Sequence, residues 1–129
     1  MQITVTGITD TPEGPVVDFT STVGTARGLW QGDIEAGLGS FDVEIEVPHE
    51  VFEWHRTDPG VFHLTGEDPG KAGIKIQGTL ESIGDDCVNA VKVSSDIILM
   101  ETAAKIPETH LGEGITFSVP SIHLYPYVV

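Results

Sequence analysis

Between positions 49 and 55 the chain reads His49-Glu50-Val51-Phe52-Glu53-Trp54-His55, which gathers two imidazoles and two carboxylates in one short segment. Nitrogen and oxygen donors of this kind suit zinc or another divalent ion. On an extended backbone His49, Glu53 and His55 share a face, so three ligands could converge. The spacing is not that of the helical His-Glu-x-x-His motif, and histidine with glutamate along a strand is ordinarily a solvated face. His63, His110 and His123 have no ligand-like spacing, and the single cysteine, Cys87, has no second thiol to pair with. The expectation is a chain with no metal and no other cofactor.

Catalytic signatures are equally thin. No glycine-rich phosphate loop, nucleophile elbow or kinase motif is present, and Cys87 has no basic residue just upstream to activate it. The run Cys87-Val88-Asn89-Ala90-Val91 reads as a strand with the thiol buried. A carboxylate pair drawn from Asp85, Asp86 and Asp96 would allow acid–base chemistry, but Asp85-Asp86 after Gly84 reads better as a hairpin turn.

The strongest pattern is one of charge. From Gly28 to His55 there are seven acids, Asp33, Glu35, Asp42, Glu44, Glu46, Glu50 and Glu53, and no lysine or arginine. The same stretch holds both tryptophans, Trp30 and Trp54, together with Phe41 and Phe52. Carboxylates around an aromatic anchor steer a cationic protein by long-range attraction and hold it by desolvated contacts, with at least one tryptophan expected at the rim. The competing account is a solvated acidic surface serving solubility or salt adaptation. Over the whole chain 20 acids face 6 bases, a formal charge of −14, which repels a phosphate backbone and disfavours direct nucleic-acid binding.

The elements that must position these residues are strands. Period-two alternation is clearest over Phe41 to Val47, where Phe41, Val43, Ile45 and Val47 take one face and Asp42, Glu44 and Glu46 the other. Similar patterns cover Gln2 to Ile8, Pro15 to Val23, Ala26 to Gln31, Ile74 to Ile83, Cys87 to Val93 and Ile115 to Val119. The run Ile97 to Met100 predicts a short strand covered on both faces, and Glu101 to Lys105 predicts the one short helix. A length of 129 residues with 15 glycines and 8 prolines fits one turn-rich domain.

The two ends of the chain also resemble each other. Ile3-Thr4-Val5-Thr6-Gly7 parallels Ile74-Lys75-Ile76-Gln77-Gly78, and strands ending at Val47-Pro48 and Val119-Pro120 follow at similar distances. Residues 1–56 and 73–129 are therefore expected to form two similar four-stranded units. In both, the apolar phase slips after the proline, as at a bulge or an edge-strand bend. Gly7 and Gly78 fall on the apolar parity, where a sharp bend or close backbone approach is needed. The connecting stretch, 57–73, holds Asp-Pro-Gly turns at Asp58-Pro59-Gly60 and Asp68-Pro69-Gly70 around a short strand, Val61 to Thr65.

The sequence thus predicts a single all-β domain, 1–129, a small barrel or sandwich whose second copy has a strand order reminiscent of an OB fold. The amino terminus lacks signal-peptide character and no stretch approaches a membrane span, so a cytoplasmic setting with no membrane partner is expected. Function is expected to be protein binding without catalysis: a small acidic inhibitor, of the immunity-protein type, that neutralises a basic partner such as a toxin nuclease. The competing readings are a ligand-binding or enzymatic barrel and an acidic mimic of nucleic acid. The sequence leaves the oligomeric state open.

Overall fold

The computed structural model describes residues 1–66 and 73–128. The second Asp-Pro-Gly turn lies outside them. Strands β1 (Gln2–Thr11), β2 (Gly14–Ser21) and β3 (Gly24–Trp30) form an antiparallel meander, and β4 (Gly39–Glu46) pairs antiparallel with β1. The strand that closes this sheet comes from the far end of the chain. β11 (His123–Tyr127) lies between β3 and β4, parallel to the first and antiparallel to the second, and completes a five-stranded barrel of OB-like order.

Alternation fills the barrel as expected for half-buried strands. Ile3 and Val5 from β1, Val17 and Phe19 from β2, Val43 from β4 and Leu124 from β11 are all buried, with Ile122 just ahead of β11. Fully burying an aliphatic or aromatic side chain contributes roughly 1.5–3 kcal/mol, so Ile122 and Leu124 give β11 a strong hold on its place. Gly28 makes room for them, because a Cβ there would stand 2.8 Å from Leu124 Cγ and 3.2 Å from Ile122 Cγ1.

The second sheet repeats the connection order. β7 (Ile74–Ile83), β8 (Val88–Val93) and β9 (Asp96–Glu101) form a meander, β10 (Gly114–Val119) pairs antiparallel with β7, and β5 (Trp54–Thr57) pairs with β10. The order β5-β10-β7-β8-β9 thus matches β11-β4-β1-β2-β3. In each sheet the fifth strand is supplied by the other half of the chain. A single parallel bridge, Val51 to Thr102, joins the segment ahead of β5 to the residue after β9, where the first sheet has its β11–β3 pairing. β6 (His63–Gly66) adds to β7, and the Leu64 N–H donates to the Val23 carbonyl at 3.0 Å, tying the sheets together.

Several local expectations need correction. The phase slip after Val47-Pro48 is not a bend in one strand, because the chain there leaves the first sheet for the second. The two glycines, Gly7 and Gly78, share the first strand of their meanders but not the same role. A bulge between Val5 and Gly7 turns Gly7 toward Asp18, whereas Gly78 is buried where a Cβ would strike the Lys92 carbonyl oxygen. Strand β9 is not covered on both faces. Ile98 and Met100 are buried while Ile97 and Leu99 are 52% and 58% exposed, because alternation sends the first pair into the core and the second to the opposite face of the sheet.

No helix forms over Glu101 to Lys105. The Thr102 N–H donates to the Cys87 carbonyl and its hydroxyl to the Ala104 carbonyl, so the backbone is committed to the sheet, and Pro107 follows closely. The described residues contain one helical turn, a 3₁₀ turn at Glu108–His110. Cys87 precedes its strand, half-buried in the β7–β8 turn with φ of +66°. No helix among the described residues is long and apolar enough to cross a membrane.

Candidate protein-binding cleft

Strand β4 carries Asp42, Glu44 and Glu46 on its outer face because Val43 is committed to the barrel interior. Antiparallel register with β11 sets a partner opposite each acid: Tyr127 faces Asp42, Tyr125 faces Glu44 and His123 faces Glu46. The last pair is in contact, with His123 Nδ1 3.3 Å from Glu46 Oε1. Tyr125 and Tyr127 are 37% and 44% exposed, so a row of carboxylates runs beside a row of aromatic and imidazole rings.

This face forms one wall of a cleft of about 590 Å³, and the opposite wall is β9. Glu44, Glu46, Tyr125 and Tyr127 line one side, Asp96, Ile97 and Leu99 the other, and no lysine or arginine is among its described lining residues. Met1 also lines the cleft, its amine 2.7 Å from Asp96 Oδ1 and 2.8 Å from the Val43 carbonyl, and so links β9 to β4. Lys92 stands opposite Ile97 on β8, away from the open side of β9.

The remaining acids lie elsewhere. Asp33 and Glu35 are exposed in the bends after β3. Glu50 and Glu53 flank exposed Phe52 in the β4–β5 connection, beside a separate depression of about 380 Å³ with Ser118 and Pro120. The seven acids of the 28–55 stretch therefore divide into three groups, of which only the β4 group adjoins the large cleft. Trp30 is not at a rim. It is 5% exposed, donates from Nε1 to the Ile34 carbonyl at 2.7 Å, and meets Phe41 edge-on at 4.9 Å. Strand alternation from Ala26 and Gly28 sends it inward. Trp54 is half-buried at the start of β5 and packs edge-on against His110 at 5.4 Å.

The ligand-like segment disperses when folded. His49 Nε2 pairs with Ser121 Oγ, while His55 Nε2 lies 3.1 Å from Glu53 Oε1. Among the described residues no three His, Cys, Asp or Glu side chains are placed to hold a metal ion. The carboxylates Asp85, Asp86 and Asp96 also separate. Asp86 accepts from the Val88 N–H in the β7–β8 turn, and Asp96 heads β9 at the opposite end of β8. Asp85 pairs with Lys105, whose hydrogen bond holds the carboxyl below its ordinary value. At the foot of β10, Glu113 accepts from His110 Nδ1 at 2.9 Å and meets Arg56 at 3.5 Å. The His110 hydrogen bond, with the Arg56 charge, keeps its carboxyl below the usual glutamate value.

Sequence reasoning missed the aromatic half of the cleft. The signal was present in His123-Leu124-Tyr125-Pro126-Tyr127, whose alternation around buried Leu124 sends both tyrosines outward. Their neighbourhood with Asp42 and Glu44 required knowing that β11 crosses to the first sheet. Comparison with family models, with curated proteins and with solved structures gives no match.

Proposed function

We propose that this protein is a non-catalytic binding module that captures a basic protein partner at the β4–β11 face, acting as a small acidic inhibitor of the immunity-protein type. The observation that carries the reading is the residue-by-residue opposition of Asp42, Glu44 and Glu46 to Tyr127, Tyr125 and His123, of which Glu44, Glu46, Tyr125 and Tyr127 line the cleft. Carboxylates supply steering, and exposed tyrosines supply the rigid amphipathic anchors enriched at interface hot spots. The aromatic row also favours this reading over a nucleic-acid mimic, which needs only spaced charge on an otherwise featureless surface.

The test recovers partners from cell extract with wild type and with the triple variant Asp42→Lys/Glu44→Lys/Glu46→Lys. The partner is expected to bind wild type, to associate more slowly as salt rises, and to be lost from the variant. Equal recovery by both proteins overturns the assignment to this face.

A further inference from the structure

Strand β9 ends the second sheet. Along Asp96–Glu101 it pairs with β8, and its other side has one bridge, made just past its end by Thr102 with Val51. The Glu101 carbonyl accepts from the Val51 N–H, which fixes the side toward which alternate backbone groups point. In an antiparallel strand this side recurs every second residue, so the N–H and C=O groups of Leu99 and Ile97 point the same way, with no backbone partner among the described residues. Natural sheets protect such edges with lysine, proline, bulges or a covering segment. Between Asp96 and Glu101 the edge reads Ile97-Ile98-Leu99-Met100 and has none of these in its sequence.

We propose that β9 receives an extended, basic segment of the partner protein, which joins the second sheet as an added strand. This rests on the reading of the β4–β11 face as a site for a basic protein. Backbone hydrogen bonds to Ile97 and Leu99 supply sequence-independent attachment, as in other cases of strand addition. Charge complementarity selects the segment: Glu44 and Glu46 line the cleft into which the open edge faces, its described lining residues include no lysine or arginine, and the one cation among them, the Met1 amine, is already paired with Asp96. Alternation then fixes the occupant's pattern. Apolar residues on one face cover the exposed side chains of Ile97 and Leu99, and lysines or arginines on the other reach the carboxylates and tyrosine rings.

The probe is a synthetic octapeptide of alternating valine and lysine, offered to the full chain, with binding followed by fluorescence anisotropy and amide hydrogen exchange. Binding is expected to slow exchange at Ile97 and Leu99. N-methylation of alternate peptide amides, which removes donors but keeps the charge, should weaken binding at least 10-fold, as should Leu99→Lys in the protein. Equal binding of the methylated peptide, or protection confined to β4 and β11, overturns strand addition while leaving the acidic-face reading intact. Absence of binding at millimolar peptide overturns it as well. Concentration-dependent protection of Ile97 and Leu99 without peptide identifies a second copy of this chain as the occupant and also overturns it. Loss of the natural partner in the Asp42→Lys/Glu44→Lys/Glu46→Lys variant tests the acidic carboxylates that both readings use, whereas the methylated peptide and the exchange pattern at Ile97 and Leu99 test strand addition alone, so strand addition can fail while the acidic-face reading stands.

Discussion

His49 Nε2 lies 3.0 Å from Ser121 Oγ, although 72 positions separate them in the chain. Each residue follows a Val-Pro pair, Val47-Pro48 or Val119-Pro120, at the point where the chain leaves one sheet to complete the other. The hydrogen bond therefore pins the two crossings together. A typical intramolecular hydrogen bond contributes about 0.5–1.5 kcal/mol. His49→Ala and Ser121→Ala are each expected to destabilise by about that amount, and the double variant by little more than either alone. Urea denaturation of the four proteins measures the coupling.

Because β5 belongs to the second sheet and β11 to the first, each half of the chain lacks a strand of its own meander's sheet. Fragments 1–66 and 73–129 are expected to be unfolded or aggregated when separate and to regain strand circular dichroism when mixed. Fragments that fold fully alone, with no change on mixing, contradict the exchanged connectivity.

The two glycines that look equivalent in sequence should respond differently. Gly78→Ala drives a methyl toward the Lys92 carbonyl and to 2.8 Å from Val91 Cγ1, whereas the same change at Gly7 meets the movable Asp18 Oδ2 at 3.1 Å. Overpacking of a tight interior typically costs about 1–3 kcal/mol. Thermal unfolding should show a loss of that order for Gly78→Ala and a much smaller one for Gly7→Ala.

Glu113 supplies a pH dependence whose sign is fixed. Its folded-state carboxyl titrates below the ordinary value of 4.5, chiefly because His110 donates to it. Its stabilising contribution is complete above that ordinary value and is lost as the pH falls through it toward the lower folded-state one. Glu113→Gln is expected to lower stability near neutrality, where the contribution is complete, to change it little at pH below the folded-state value, and so to flatten the acid limb of the stability profile. Matched urea titrations across the acid range check this, and an unchanged acid limb contradicts it.

Much of the fold is legible in short-range alternation. The acidic face of β4 follows from Phe41 to Val47 alone, because four apolar residues on one parity leave the acids only the other. Strand β9 was found but its coverage was not, since Ile97 to Met100 looks the same whether one face or two are packed. Proximity to acids suggests a rim position for one of the two tryptophans without saying which, and strand parity is what sends Trp30 inward. The cleft itself was out of reach of local reasoning. Its walls belong to β4, β11 and β9, and their adjacency depends on a long-range exchange that no window of a few residues contains.

That exchange also orders events in time. During synthesis β1 to β4 emerge well before β11, so the first meander waits with β3 and β4 unjoined until Ile122 and Leu124 arrive. Contacts between distant positions form late, since the loop entropy must be overcome first, and topologies rich in them fold slowly. The nascent chain consequently holds two open strand edges while the whole of the second meander is being made, and barrel closure waits on Ile122 and Leu124.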